Sequence, residues 1–128
     1  MLAFEQKYCM GTKDRKYHIF WDIGAILQDM QTTQFPITHC NVADLFKNNP
    51  FFGNIEYAIN TDISIPCIVV SLNNDKNKLI DGNHRLYKSK QLGCENIPCY
   101  ILPLDYHTRF IIDYDVDIYR SVIADFTI

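Results

Sequence analysis

The sequence predicts a mixed α/β fold, a small mixed sheet with flanking helices, and three stretches carry that prediction. "IPCIVVSL", Ile65 to Leu72, is a β-branched run with Pro66 at its start, the composition of a buried strand. "LIDGNHRLYKSKQLG", Leu79 to Gly93, passes from an apolar strand-like segment through a glycine turn into a helix-like one. "NIPCYILP", Asn96 to Pro103, repeats the Ile-Pro-Cys of the first run, which predicts two similar strand starts in one sheet. With 128 residues, 48% of them hydrophobic, residues 1–128 read as a single domain able to bury a core.

The remaining elements follow in chain order. "YHIFWDIGAIL" reads as a strand ending near Asp22 and running into a short helix through Met30. "QTTQFPITHC" breaks that helix, since Pro36 is incompatible with a helix interior. "NVADLFKNN" places Val42, Leu45 and Phe46 at helical spacing behind Asn41, a good N-cap, and "PFFGN" ends that helix. The turn-rich "NNDKN" joins the Ile65–Leu72 strand to "KLID", giving a hairpin. Helix "HRLYKSKQL" follows, with Asn83 as its cap and Gly93 placed to end it. At the end, Asp113, Asp115 and Asp117 alternate like a strand, yet Ile112, Val116, Tyr119, Ile123 and Phe126 have helical spacing. A terminal helix from about Asp117 is the reading taken, with the aspartates in or before its first turn, where the helix dipole favours them.

Composition narrows the function classes. The net charge of −3 does not fit a nucleic-acid binder, whose basic field releases phosphate counterions. An anion site would have to be local, and Lys76, Lys78, Arg85, Lys88 and Lys90 do gather around the Leu79–Gly93 stretch. The five cysteines contain no C-x-x-C pair; they read as reduced, mostly buried thiols, which favours a cytoplasmic setting. "MLAFEQKYCM" has no basic start followed by an apolar signal core, and no apolar run approaches the ~20 residues of a membrane span.

Asp81, Gly82, Asn83, His84 and Arg85 concentrate the chemistry. A helix start exposes unpaired backbone N–H groups and partial positive charge, an environment that suits phosphate. Gly82 permits positive φ and close approach of an anion, while His84 and Arg85 add charge-assisted donors. The plainer alternative is a hairpin exit in which Asp81 and Asn83 cap the helix and Arg85 pairs with an acid. Asp62 has the same two faces: a turn residue ahead of the strand, or a carboxylate that holds magnesium or takes a proton. The alternating aspartates do not form an EF-hand loop, because counting from Asp113 puts Ile118 and Ala124 where glycine and glutamate are needed. His18, His39 and His107 lack metal spacing, and Trp21 reads as core.

"LIDGNHRLYKSKQLGCENIPCYIL" resembles the ParB/sulfiredoxin superfamily, whose members carry a D-G-x-H-R signature at the start of a helix after a strand; here it falls on Asp81 to Arg85. "TDISIPCIVV" is similar to the acid, small residue and proline preceding a strand in some ParB-like domains, matching Asp62, Ser64 and Pro66. The likeness spans roughly Tyr57 to Leu102. It implies that Gly82, Asn83, His84 and Arg85, helped by Lys88, hold the phosphates of a nucleoside triphosphate such as ATP or CTP, with Mg²⁺. Sulfiredoxins carry a catalytic cysteine where Asn83 stands, so sulfinic acid reduction is not expected. The DNA-binding and dimerisation regions of partitioning ParB proteins have no room here. Members that phosphorylate a small hydroxyl substrate need a carboxylate base, for which Asp62, Asp81 and Glu56 are candidates, with His84 a further catalytic candidate. The expectation is a nucleotide-dependent enzyme, an NTP hydrolase or small-substrate phosphotransferase; the alternatives are a non-catalytic regulatory or interaction module of the same fold and a ParB-like nuclease.

Overall fold

The computed structural model describes residues 6–49, 51, 53–73 and 76–126, and its chain divides into two compact units. Parts of the "PFFGN" and "NNDKN" readings, at Pro50, Phe52, Asn74 and Asp75, lie outside the described residues. The first unit comprises Met1–Gln34, Ser71–Lys76 and Pro103–Ile128; the second comprises Phe35–Val70 and Asn77–Leu102.

The first unit begins with an antiparallel pair, β1 (Lys7–Gly11) and β2 (His18–Asp22), with Tyr8 opposite Trp21 and Met10 opposite Ile19. Burial alternates along β2, Ile19 and Trp21 being inside, the period-2 pattern of a half-buried strand. Asp22 turns the strand directly into α1 (Ile23–Asp29) by accepting a hydrogen bond from the Ala25 amide at 3.0 Å, an N-cap that satisfies one orphan donor. Later in the chain, α5 (Leu104–His107) continues into a 3₁₀ turn at Thr108–Phe110, and α6 (Val116–Phe126) closes the unit. Asp115 caps α6, accepting from the amides of Asp117 and Ile118 at 2.9 and 3.0 Å. Asp115 and Asp117 therefore serve the helix start, as the helical spacing of the apolar residues led one to expect.

Trp21 is the centre of this unit, with no exposed surface. Its indole N–H donates to Nδ1 of the equally buried His107 at 3.1 Å. Nδ1 must accept, so Nε2 carries the proton and donates to the Ser71 carbonyl at 2.8 Å. Burial holds the His107 pKa below its ordinary value. His107 is thus a structural histidine, as expected; His18 and His39 are exposed.

The second unit is built on a four-stranded mixed sheet in the order β3–β6–β4–β5, made by β3 (Thr38–Asn41), β4 (Cys67–Ser71), β5 (Asn77–Asp81) and β6 (Asn96–Leu102). β3 runs antiparallel to β6, and β4 runs parallel to β6. β4 and β5 are neighbours joined by residues 72–76 alone, too short for a parallel crossover, so they form the expected antiparallel hairpin. The two Ile-Pro-Cys copies meet at their cysteines, Cys67 standing opposite Cys99.

Helices α2 (Val42–Asn48), α3 (Ile55–Ile59) and α4 (Asn83–Gln91) complete the unit, α2 and α3 both packing on α4. Asn41 caps α2 through the Asp44 amide at 2.9 Å. The core gathers Val42 and Leu45 of α2, Cys67 and Val69 of β4, Leu79 of β5, Leu86 of α4, and Ile97 and Cys99 of β6. The expectation of mostly buried thiols needs correction: Cys67 and Cys99 are buried, Cys40 and Cys94 are half-buried, and Cys9 is exposed. Cys9 sits on an outward position of β1, where the pleat faces it to solvent. No described helix is long and apolar enough to cross a membrane.

Candidate functional site

The junction between β5 and α4 brings the signature residues together. Gly82 occupies the N-cap position of α4 with φ 109° and ψ 20°, and as a glycine it brings no side-chain cap of its own. This corrects the reading of Asn83 as cap: Asn83 is the first residue of the helix, and the turn is made by a left-handed glycine. Space imposes the same residue as the dihedral. A Cβ at Gly82 would overlap the Cys67 sulfur and come within 2.8 Å of the Cys67 Cβ and 3.0 Å of Arg85 Nη2. The Gly82 carbonyl begins the helical ladder by accepting from Leu86 at 2.9 Å.

Two basic side chains rise beside this turn, each already engaged. Arg85 Nη2 pairs with Asp81 Oδ2 at 3.2 Å, four residues apart, their side chains retaining 15% and 20% exposure. Lys88, one turn further on, donates from Nζ to the Thr61 carbonyl at 2.6 Å. That bond ties the loop ahead of β4 to α4. Asp62, next in that loop, accepts from the amide and hydroxyl of Ser64 at 2.9 and 2.6 Å. The Ser64 hydrogen bonds hold its carboxyl below its ordinary pKa, and the charges of Lys88 and Arg85 add to the effect. Asp62 is therefore a turn residue, and it feels the two cations. Glu56 is exposed in the first turn of α3.

His84 belongs to an aromatic slot. Its ring meets Phe51 edge-on at 5.6 Å and Tyr57 edge-on at 4.6 Å between centroids. Phe51 in turn stacks on Tyr87 at 4.2 Å. Such edge-to-face pairs fix ring orientation. Tyr57 is nevertheless 62% exposed, so the slot has an open wall. Sequence reasoning missed Phe51 and Tyr57 because nothing in their local pattern separates them from core aromatics; the periodicity of α3 is too short to show which face it buries.

Cys67 is the other residue missed. Its sulfur lies 3.7 Å from the Gly82 carbonyl oxygen, within reach of a weak S–H···O bond, and the nearby Arg85 charge favours its thiolate. The signal was available only in part, as the repeated Ile-Pro-Cys.

Among the described residues, no group of three or more His, Cys, Asp or Glu could hold a metal ion. A resident metal centre built from them does not fit. Magnesium bound chiefly through phosphate oxygens asks for only one or two carboxylates, and Asp81 is the one on the signature turn. Neither a family model nor a curated protein matches the chain.

Proposed function

We propose that the start of α4 is a phosphate seat and that the chain is a nucleotide-binding α/β domain of ParB/sulfiredoxin-like type. One observation carries this reading: α4 begins on a left-handed glycine, between Asp81 and the guanidinium of Arg85. First-turn amides, aligned peptide dipoles and an adjacent guanidinium are the ingredients of an anion site. A triphosphate brings several charges where Asp81 brings one, so Arg85 is expected to exchange Asp81 for phosphate oxygens. Bidentate guanidinium–phosphate geometry favours that exchange. Asn83 and His84 supply first-turn amides, and Lys88 lies one turn further along the same face.

In this reading ATP or CTP arrives with Mg²⁺, and Asp81, released from Arg85, is the carboxylate placed to meet the metal or to accept a proton from an attacking hydroxyl. An NTP hydrolase or a small-substrate phosphotransferase follows. A second reading, a non-catalytic binding module, is favoured by a specific observation: Asp62, another of the candidate bases, is held by Ser64. No observation favours a nuclease.

A thermal-shift screen of the purified chain against ATP, CTP, GTP and inorganic phosphate, with and without magnesium, tests the seat. A bound ligand raises the midpoint with its concentration. Phosphate release measured on whichever nucleotide stabilises the chain separates enzyme from module. No shift with any of these ligands at millimolar concentration would remove the phosphate reading.

A further inference from the structure

Three cysteines meet on one face of the four-stranded sheet. Cys67 on β4 and Cys99 on β6 are directly opposed in a parallel ladder, so both side chains leave the sheet on the same side. Both are fully buried in the cluster formed with Val69, Leu79, Leu86 and Ile97. Cys40, on the edge strand β3, packs against this cluster and remains half-buried. Opposed residues on neighbouring strands sit about 4.8 Å apart, inside the range of about 4.4–6.8 Å between Cα atoms over which a disulfide closes.

We propose that Cys67 and Cys99 are a redox modification site, oxidised by a hydroperoxide to a reversible disulfide beneath the Gly82 turn. The sulfur of Cys67 attacks the peroxide, forming an S–O bond as the O–O bond breaks; the departing alkoxide takes the Cys67 proton and leaves as an alcohol. The Cys99 sulfur then attacks the resulting sulfenic acid. An S–S bond forms, the S–O bond breaks, and the hydroxyl leaves as water with the Cys99 proton. In sum, two thiols lose two hydrogens with their electrons, and the peroxide is reduced to alcohol and water.

The order of attack follows from the surroundings. Thiol–thiol hydrogen bonding with Cys99, with help from Arg85, lowers the Cys67 pKa, while the same bond and burial raise that of Cys99. Thiolate character and an electropositive neighbour favour attack on an oxidant that reaches the sulfur, which for the buried Cys67 requires local opening. Cys67 therefore receives the oxidant and Cys99 resolves it. The consequence is local. Closing the disulfide consumes the S–H that Cys67 offers the Gly82 carbonyl at 3.7 Å and draws the sulfur off the backbone it supports. The Cys67–Cys99 register on which closure depends is the same whether or not the turn binds phosphate.

The test uses the full chain in a Cys9→Ser background, which removes the exposed thiol. Hydrogen peroxide treatment, alkylation of remaining thiols and peptide mapping should give a Cys67–Cys99 crosslink that dithiothreitol reverses. Cys40→Ser should keep it. Cys99→Ala should lose it and leave a Cys67 sulfenic acid that a cyclic dione traps, so no conclusion depends on the folding of a Cys67 variant. In the crosslinked protein the Leu86 amide, bonded to the Gly82 carbonyl, should exchange with solvent about threefold faster or more. A crosslink between Cys40 and Cys99 in place of Cys67–Cys99, irreversible oxidation of Cys67, or protection of both thiols until the chain unfolds would overturn the assignment. Unchanged Leu86 exchange in the crosslinked protein would overturn its effect on the turn.

Discussion

Gly82→Ala is the perturbation whose cost the structure constrains best. Two penalties act at this position. A non-glycine residue held at φ 109° costs about 1–3 kcal/mol of backbone strain. The added methyl overlaps the Cys67 sulfur and crowds the Cys67 Cβ and Arg85 Nη2, and overpacking of this kind costs about 1–3 kcal/mol. The loss of chain freedom in the unfolded state offsets about 0.4–1 kcal/mol. A net destabilisation of about 2–5 kcal/mol is expected, a large part of the stability of a domain this size. Gly93 supplies the internal control. Its φ is also positive, at 74°, but a Cβ there would meet nothing within 4 Å, so Gly93→Ala should pay strain alone, about 1 kcal/mol. Urea unfolding of both variants, read as midpoint shifts at constant m-value, separates the terms. Combining Gly82→Ala with Cys67→Ala should recover about 1 kcal/mol by relieving the sulfur overlap. Equal costs at Gly82 and Gly93, or no coupling to Cys67, would refute the claim that the helix start rests directly on the thiol.

Three further outcomes follow from other contacts. His107, neutral between Trp21 and Ser71, has a folded pKa depressed below its unfolded value; its stabilisation is complete above about pH 6.5 and is lost as pH falls through the folded pKa, at up to about 1.4 kcal/mol per pH unit. Thermal midpoints from pH 8 to 5 should show that slope, and His107→Gln should flatten it. Tyr106→Phe removes a hydroxyl that donates to Asp29 at 2.5 Å, a charge-assisted bond worth about 1.5–3 kcal/mol; a midpoint unchanged by this substitution would contradict it. Lys88→Met removes the Nζ bond to the Thr61 carbonyl and should cost about 1 kcal/mol while speeding amide exchange in the loop before β4, which hydrogen-exchange mapping checks.

How much of this was legible in the sequence depended on whether the chain carried its own pattern. β4, β5, α4 and β6 follow one another as β-branched runs and turn residues, and all four appear where "IPCIVVSL", "KLID", "HRLYKSKQL" and "NIPCYILP" place them. Asp22, Asn41 and Gly93 are punctuation of the ordinary kind. β1 and β3 escaped because they have little periodicity: only Met10 is buried along β1, and none of Thr38–Asn41 is. Their strands exist through backbone pairing with β2 and β6, a tertiary condition that local composition does not encode. α3, with Ile55, Tyr57 and Ile59 all exposed, has no apolar stripe to read. At the candidate site, the chemistry was legible in the five residues from Asp81 to Arg85, and their engagements were not. Whether Asp62 turns toward Ser64, or Cys67 lies under Gly82, is decided by strands distant in the chain.

The most direct measurement is calorimetric titration of magnesium nucleotide into the wild-type chain and Arg85→Ala, beside their thermal midpoints. The Arg85–Asp81 pair is spaced i,i+4 and partly exposed, so its loss should cost only about 1 kcal/mol of stability. A phosphate seat predicts that the wild type binds ATP or CTP and that Arg85→Ala, still folded, binds at least about tenfold more weakly. Equal affinity in the two proteins, or a wild type that binds neither nucleotide, would contradict it.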